Sequence, residues 1–154
     1  MTEPTPSTIK NRVVAMCATL GGVNTSADKF KANESAFTDA ELPAAVTEMI
    51  YRPATFTRVD RATFEMLTPL TIKFMVRRYA IDYKLTDQVA WEAVEPYRLL
   101  VPALFFRYPQ LQLNDNGLAI GSNLDELFVG PIADSKALYA SVIYELTVRT
   151  LHSV

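Results

Sequence analysis

The sequence predicts an α+β fold in which a small, mainly antiparallel sheet is flanked by an N-terminal helix and a central, proline-interrupted helix. Two segments, 66–76 and 138–150, alternate apolar and polar residues with a period of two, as half-buried antiparallel strands do. Two other segments, 9–20 and 89–104, carry apolar residues at helical spacing, and the second contains two prolines. The two periods together place helices and antiparallel strands in one fold.

Length and composition indicate one ordinary folded domain spanning residues 1–154. The chain is 49% apolar and 21% charged, and a chain of this length buries roughly 70% of the surface that its unfolded form exposes. The formal net charge is −2 and the sequence has no lysine or arginine run, which argues against broad electrostatic capture of nucleic acid. Apolar stretches such as 99–106 are too short to cross a bilayer, and the polar leader, 1–6, lacks the features of a secretory signal. We therefore expect a cytoplasmic protein without a membrane partner.

Both predicted helices have recognisable boundaries or interruptions. Thr5 or Ser7 is available to cap the N-terminal helix, and Gly21-Gly22 should end it. Pro96 and Pro102 lie inside the central helix, where each proline removes a backbone donor. We therefore expect either a kinked helix or two consecutive helices in this region.

The segment between the first helix and the first strand, residues 23–40, is polar except for two aromatic residues, Phe30 and Phe37. Such rings give a polar segment something to bury. The segment is therefore predicted to be an ordered loop with a short helical piece.

The strands are predicted to follow this loop. The first strand spans 42–51, and a hairpin that contains Arg58, Asp60 and Arg61 joins it to the long strand. Pro69 lies inside the long strand and cannot donate a backbone hydrogen bond, so it indicates an edge position or a bulge.

Patterns of catalytic or metal-binding residues are missing from the sequence. The only histidine, His152, lies close to the C-terminus where chains tend to fray, which argues against a catalytic triad. The only cysteine, Cys17, lies in an apolar helical stripe and is predicted to be a small buried hydrophobe. Glu92 and Glu95 could do acid-base chemistry if they were buried, but a polar outer helix face is the simpler interpretation. We therefore expect no enzyme activity, no cofactor and no bound metal.

Arginine and tyrosine side chains gather at two places along the predicted sheet. Arg77, Arg78 and Tyr79 end the long strand, and Arg52, Arg58 and Arg61 lie around the hairpin. These residue types are enriched at the anchor points of protein interfaces. Ordinary charged positions on the solvent face of a sheet are the alternative.

The predicted elements contain several short sequence motifs. They are Leu42-Pro43-Ala44-Ala45-Val46, Val76-Arg77-Arg78-Tyr79, Val94-Glu95-Pro96-Tyr97, Tyr108-Pro109 and the final strand from Tyr139 to Arg149. With the N-terminal helix and the hairpin, this order resembles the tail terminator proteins of tailed bacteriophages over most of the chain. The polar segment 23–40 is longer than the usual link in that family.

This resemblance implies a subunit that closes into a ring, commonly a hexamer, which caps the finished tail tube and joins it to the head or neck. The implied partners are other copies of the chain, the tail tube protein and a neck or head-completion protein. DNA passes through the lumen of such a ring and is not read. Members of that family are not enzymes.

We therefore expect a structural virion protein of the head-tail junction, made in the host cytoplasm. The alternatives are a neck or head-completion ring protein, a non-viral cytoplasmic protein-binding module and a small hydrolase that uses carboxylates. Residues expected at a subunit or tube interface are Phe30, Phe37, Arg58, Asp60, Arg61, Arg77 and Arg78, with the segment 23–40.

Overall fold

The structure is a computed structural model that describes residues 4–28, 37–49, 53–111, 119–133 and 137–154. In these parts of the chain, two helices and six strands follow one another in the order α1 (Pro6–Ala18), β1 (Thr25–Ala27), β2 (Ala44–Glu48), β3 (Thr55–Arg58), β4 (Thr63–Ala80), α2 (Asp87–Arg107), β5 (Ala119–Ala133) and β6 (Ala137–Ser153). The predicted α+β fold is confirmed, with its N-terminal and central helices beside a sheet.

The described strands form one mixed sheet in the order β1-β2-β4-β6-β5, and β3 also pairs with β4. β1 runs parallel to β2, and the other pairs are antiparallel. β4 and β6 pair along almost their whole length, so they form the centre of the sheet. β5 pairs only with β6 among the described strands and is therefore an edge strand.

Pro69 does not mark an edge, because β4 has neighbours on both sides. β6 pairs with one edge of β4, while β2 and β3 pair with residues 71–75 and 64–67 of the other. Pro69 lies in the gap between those two stretches. A proline fits a central strand at such a gap, because its missing N–H leaves no ladder bond broken there.

The capping residues fix where both helices begin. The hydroxyl of Thr5 accepts the N–H of Thr8 at 3.2 Å, and Pro6 follows in the first turn of α1. The hydroxyl of Thr86 accepts the N–H of Val89 at 3.3 Å at the start of α2. Both caps satisfy backbone donors that have no partner within the helix.

α2 continues as one helix from Asp87 to Arg107 although it contains Pro96 and Pro102. Pro96 is exposed, so water can reach the carbonyl that the proline leaves without its helical donor. The opposite face is held by buried residues, which are Ala90, Val94, Val101 and Phe105. Packing of that face against the sheet offsets the two missing hydrogen bonds, and the alternative of two consecutive helices is wrong.

Both helices cover the same face of the sheet. Their buried residues form one core cluster with β4 and β6, in which Phe74, Tyr144 and Leu146 are almost fully buried. A smaller cluster lies on the other face, where Phe37 and Met75 pack with Leu42 and Tyr139. Met75 breaks the polar face predicted for the long strand because this second cluster covers it.

Several boundaries differ from the sequence prediction. β1 was not predicted, and β2 is shorter than the predicted strand 42–51. β5 is longer than the short extended pieces that the sequence predicts on either side of a turn at 114–117, and that turn lies outside the described residues. Residues 29–36, which include the predicted helical piece, lie outside the described part of the chain. β6 is longer than predicted and continues to Ser153.

Candidate functional site

Of the two aromatic residues predicted for an interface, Phe37 belongs to the core and Phe30 lies outside the described residues. The Phe37 side chain is 1% exposed and its ring packs edge-on against Tyr139, with centroids 6.3 Å apart. The N–H of Phe37 donates to the Tyr139 hydroxyl at 3.1 Å. Phe37 therefore holds the segment after residue 36 onto the sheet, and the structure does not place it on a surface.

The turn between β3 and β4 carries an exposed surface that we call the hairpin surface, residues 56–61. None of the residues 53–65 is buried, and Phe56 and Val59 are 63% and 55% exposed. Arg58, Asp60 and Arg61 are also exposed. These three residues do lie around a hairpin, but it joins β3 to β4, whereas the predicted hairpin joined the strand 42–51 to the long strand.

Asp60 stabilises the turn from within. Its carboxylate accepts the N–H of Ala62 at 2.7 Å and that of Thr63 at 2.8 Å. These hydrogen bonds hold the pKa of Asp60 below its ordinary value, because they favour the charged form. The Nε of Arg58 donates to the Asp60 carbonyl at 3.2 Å. The turn is therefore a fixed structure that presents two guanidinium groups.

Aromatic rings support the hairpin surface from the sheet side. The Phe64 ring lies 6.1 Å from that of Phe56 and stacks on His152 at 5.2 Å, centroid to centroid. His152 is only 7% exposed, and its Nε2 lies 2.8 Å from the Thr150 hydroxyl. The expectation that the chain frays here is wrong for His152, because β4 pairs with β6 through this residue.

Arg77 and Arg78 are exposed but lie near the opposite end of β4, roughly 45 Å from the turn at about 3.3 Å per residue. The Arg77 guanidinium lies 5.4 Å from the centre of the Tyr79 ring. Arg78 donates to the Phe37 carbonyl at 3.3 Å. The structure therefore does not bring the two predicted arginine pairs into one site.

A groove that the sequence pattern does not predict lies along the first half of α2, and we call it the α2 groove. Its volume is about 550 Å³, and it is lined by Asp87, Gln88, Trp91, Glu92 and Glu95. Trp91, the only tryptophan of the chain, is 46% exposed. Its Nε1 donates to the carbonyl of Val129 on β5 at 3.2 Å, which fixes the indole ring against the edge strand.

Arg98 organises the charges beside this groove. Its guanidinium makes two hydrogen bonds to the Glu126 carboxylate, at 2.8 and 3.0 Å, and one to Glu95 at 3.4 Å. The bond to Glu126 raises the pKa of Arg98. The same guanidinium lies 4.7 Å from the centre of the Trp91 ring. Because Glu126 balances the charge of Arg98, the carboxylates that line the groove leave it negative.

The two carboxylates considered for acid-base chemistry are surface groups. Glu92 and Glu95 are both exposed, and Glu92 accepts a hydrogen bond from Gln88 at 3.3 Å. Burial, which acid-base work by such a pair requires, is missing at both positions. The structure therefore favours the polar outer helix face.

Further along α2, apolar side chains form a second exposed surface, which we call the helix surface. Leu99, Leu100 and Phe106 are 77%, 44% and 65% exposed. Apolar residues scattered singly are normal on a protein, whereas apolar groups gathered on one helix are typical of contact sites. The helix surface and the hairpin surface are separate, since they belong to different elements.

Other chemistry has little support in the described part of the chain. No group of three or more histidine, cysteine, aspartate or glutamate side chains is gathered there in a way that could hold a metal ion. Burial raises the pKa of the Cys17 thiol to about 12, so the reactive thiolate is not formed at neutral pH. Neither α1 nor α2 is both long and apolar enough to span a bilayer, as judged on the residues described.

No protein-family model matches the sequence, and no curated protein shows significant similarity to it.

Proposed function

We propose that this chain is a structural virion protein of a tailed bacteriophage, a tail terminator whose copies form a ring. The ring caps the tail tube and joins it to the head or neck. Its partners are other copies of the chain, the tail tube protein and a neck or head-completion protein. DNA passes through the lumen without specific contacts.

The observation that carries this proposal is the presence of separate exposed surfaces that differ in composition. The hairpin surface combines Phe56 and Val59 with two arginines, whereas the α2 groove combines Trp91 with three carboxylates. A ring requires such a pair, because each subunit uses one surface toward the subunit before it and a different one toward the subunit after it. A self-complementary dimer needs only one.

The build of the sheet also supports a structural role. β4 and β6 pair over 17 residue pairs with one register shift, so the hairpin is an extension of a long, rigid ladder. A subunit that transmits position between tube and head benefits from such rigidity. The slight negative net charge of −2 fits a lumen that lets DNA pass without holding it.

Deletion of the gene from the phage or prophage that carries it tests this function. We expect heads and tails to form and remain unjoined, because the component between them is missing. A plasmid that carries the gene should restore joined, infectious particles to the deletion strain. Normal particles produced without the chain would contradict the proposal.

A further inference from the structure

We propose that the hairpin surface of one copy of this chain docks into the α2 groove of the next copy. The proposal rests on the ring function and identifies the contact between neighbouring subunits. Its occupant is a second copy of this chain.

The charges of the two surfaces are complementary. Arg58 and Arg61 give the hairpin surface two positive charges against the one negative charge of Asp60, whose carboxylate accepts backbone N–H groups within the turn. The α2 groove carries three carboxylates, those of Asp87, Glu92 and Glu95. Arginine pairs with carboxylates through directional hydrogen bonds, which fix orientation as well as sign.

The apolar parts of the two surfaces also match. Phe56 and Val59 are more than half exposed on the hairpin, and the Trp91 ring is 46% exposed in the groove. Aromatic and arginine side chains surrounded by polar groups are the usual composition of an interface centre. A concave site of about 550 Å³ is large enough to take several side chains.

The two surfaces cannot meet within one chain. Trp91 contacts Val129 of β5, and Val129 pairs with Val142 of β6. Val142 pairs in turn with Phe74 of β4, so the α2 groove lies at the level of Phe74 along the sheet. The turn precedes Thr63 on the same strand, so the two surfaces are separated by roughly 35 Å along β4 at about 3.3 Å per residue. They also lie on opposite sides of β4, since β3 and β5 are on different edges. The matched surfaces can therefore meet only between copies.

Such a contact is heterologous, because the patch that one copy offers differs from the patch that it meets. Repetition of a heterologous contact produces either a closed ring or an open filament. The fixed hydrogen bonds of the turn keep the approach angle the same from copy to copy, and the value of that angle decides between ring and filament.

Disulfide trapping tests the contact directly. Val59→Cys and Gln88→Cys in the same chain should produce a ladder of linked multimers on mild oxidation of the concentrated protein. A mixture of the two single variants should produce linked dimers and nothing larger, and either single variant alone should stay unlinked. Cys17 can remain in place because it is buried.

Charge reversal provides a second readout, by sedimentation at several protein concentrations. Arg58→Glu with Arg61→Glu should weaken association about 10- to 100-fold, because like charges then face each other. Adding Glu92→Lys and Glu95→Lys to the same chain should restore it. For comparison, Arg77→Glu with Arg78→Glu makes the same charge change roughly 45 Å away, at the other arginine pair expected at an interface. A loss of association as large as that of the hairpin variant would count against the contact.

Three results would overturn the contact: a chain that stays monomeric up to its solubility limit, association without linkage between positions 59 and 88, or dimers linked through Val59→Cys alone. Linkage in a protein that is absent from virions would instead refute the ring function in phage and leave the contact standing. A ring in virions whose subunits do not link at positions 59 and 88 would refute the contact and leave the ring function standing.

Discussion

Replacement of Leu146 by alanine should lower the free energy of unfolding by about 3–5 kcal/mol. Leu146 is fully buried on β6, where it pairs with Leu70 of β4 on one side and Leu124 of β5 on the other. The backbone is thus held by strands on both edges and cannot collapse into the space that the shorter side chain leaves. The cost should therefore lie in the upper part of the range for leucine truncations, which rises with the size of the remaining cavity.

Leu99 provides a matched control for this substitution. The same chemical change at Leu99, which is 77% exposed on α2, removes little buried surface. Alanine is also the better helix former. We expect Leu99→Ala to change the free energy of unfolding by no more than about 0.5 kcal/mol.

Urea denaturation followed by circular dichroism measures both effects. The protein concentration must be low enough to keep the chain monomeric, because association adds stability. With a denaturant slope of about 2 kcal/mol per M, Leu146→Ala should lower the midpoint by roughly 1.5–2.5 M, and Leu99→Ala should shift it by no more than about 0.25 M. Equal midpoints for the two variants would refute the placement of β6 at the centre of the sheet.

Three further predictions concern single side chains. Burial raises the pKa of the Cys17 thiol from 9.0 in the unfolded chain to about 12 in the folded one, so the unfolded chain loses this proton first. The free energy of unfolding should therefore fall by up to about 1.4 kcal/mol per pH unit as the pH rises from about 9 to about 12. Cys17→Ala should lack this slope in denaturation at pH 8–10, and equal slopes would contradict the burial. Asp60→Ala should speed amide hydrogen exchange at Thr63, whereas Asp60→Asn keeps an acceptor and should not. Because the pKa of Asp60 is lowered in the folded chain, protection of the Thr63 amide in the unchanged protein should be present above about pH 4 and lost as the pH falls through the folded pKa. Arg98→Ala should shift Trp91 fluorescence to longer wavelength by uncovering the indole, and an unchanged spectrum would count against the stacked guanidinium.

The sequence was most informative where one period runs over many residues. β4 and β6 were predicted because alternation is sustained over more than ten positions, and the start of α1 at Thr5 follows from ordinary capping chemistry. β1 has three residues, which is too short for any period to appear. β5 contains Gly121, Gly130 and Pro131, and its pairing with β6 shifts register twice, so its alternation is broken.

The two surfaces also differ in how far the sequence alone could predict them. The residues of the hairpin surface are adjacent in sequence, so their grouping could be predicted. The α2 groove depends on contacts such as Trp91 to Val129 and Arg98 to Glu126, whose partners are 38 and 28 residues apart. Phe37 was expected at an interface and lies in the core, because an aromatic residue in a polar segment suits either place. Only the tertiary packing distinguishes the two.

Imaging of the head-tail junction in purified virions, with this chain located in the density, tests the ring function most directly. A tail terminator should appear as a closed ring of copies, six-fold in symmetry, directly on the last layer of the tail tube, with the β3–β4 hairpin of each copy against α2 of the next. A ring nearer the portal would assign the chain to the neck or head-completion proteins. Absence of the chain from the particles would contradict the account.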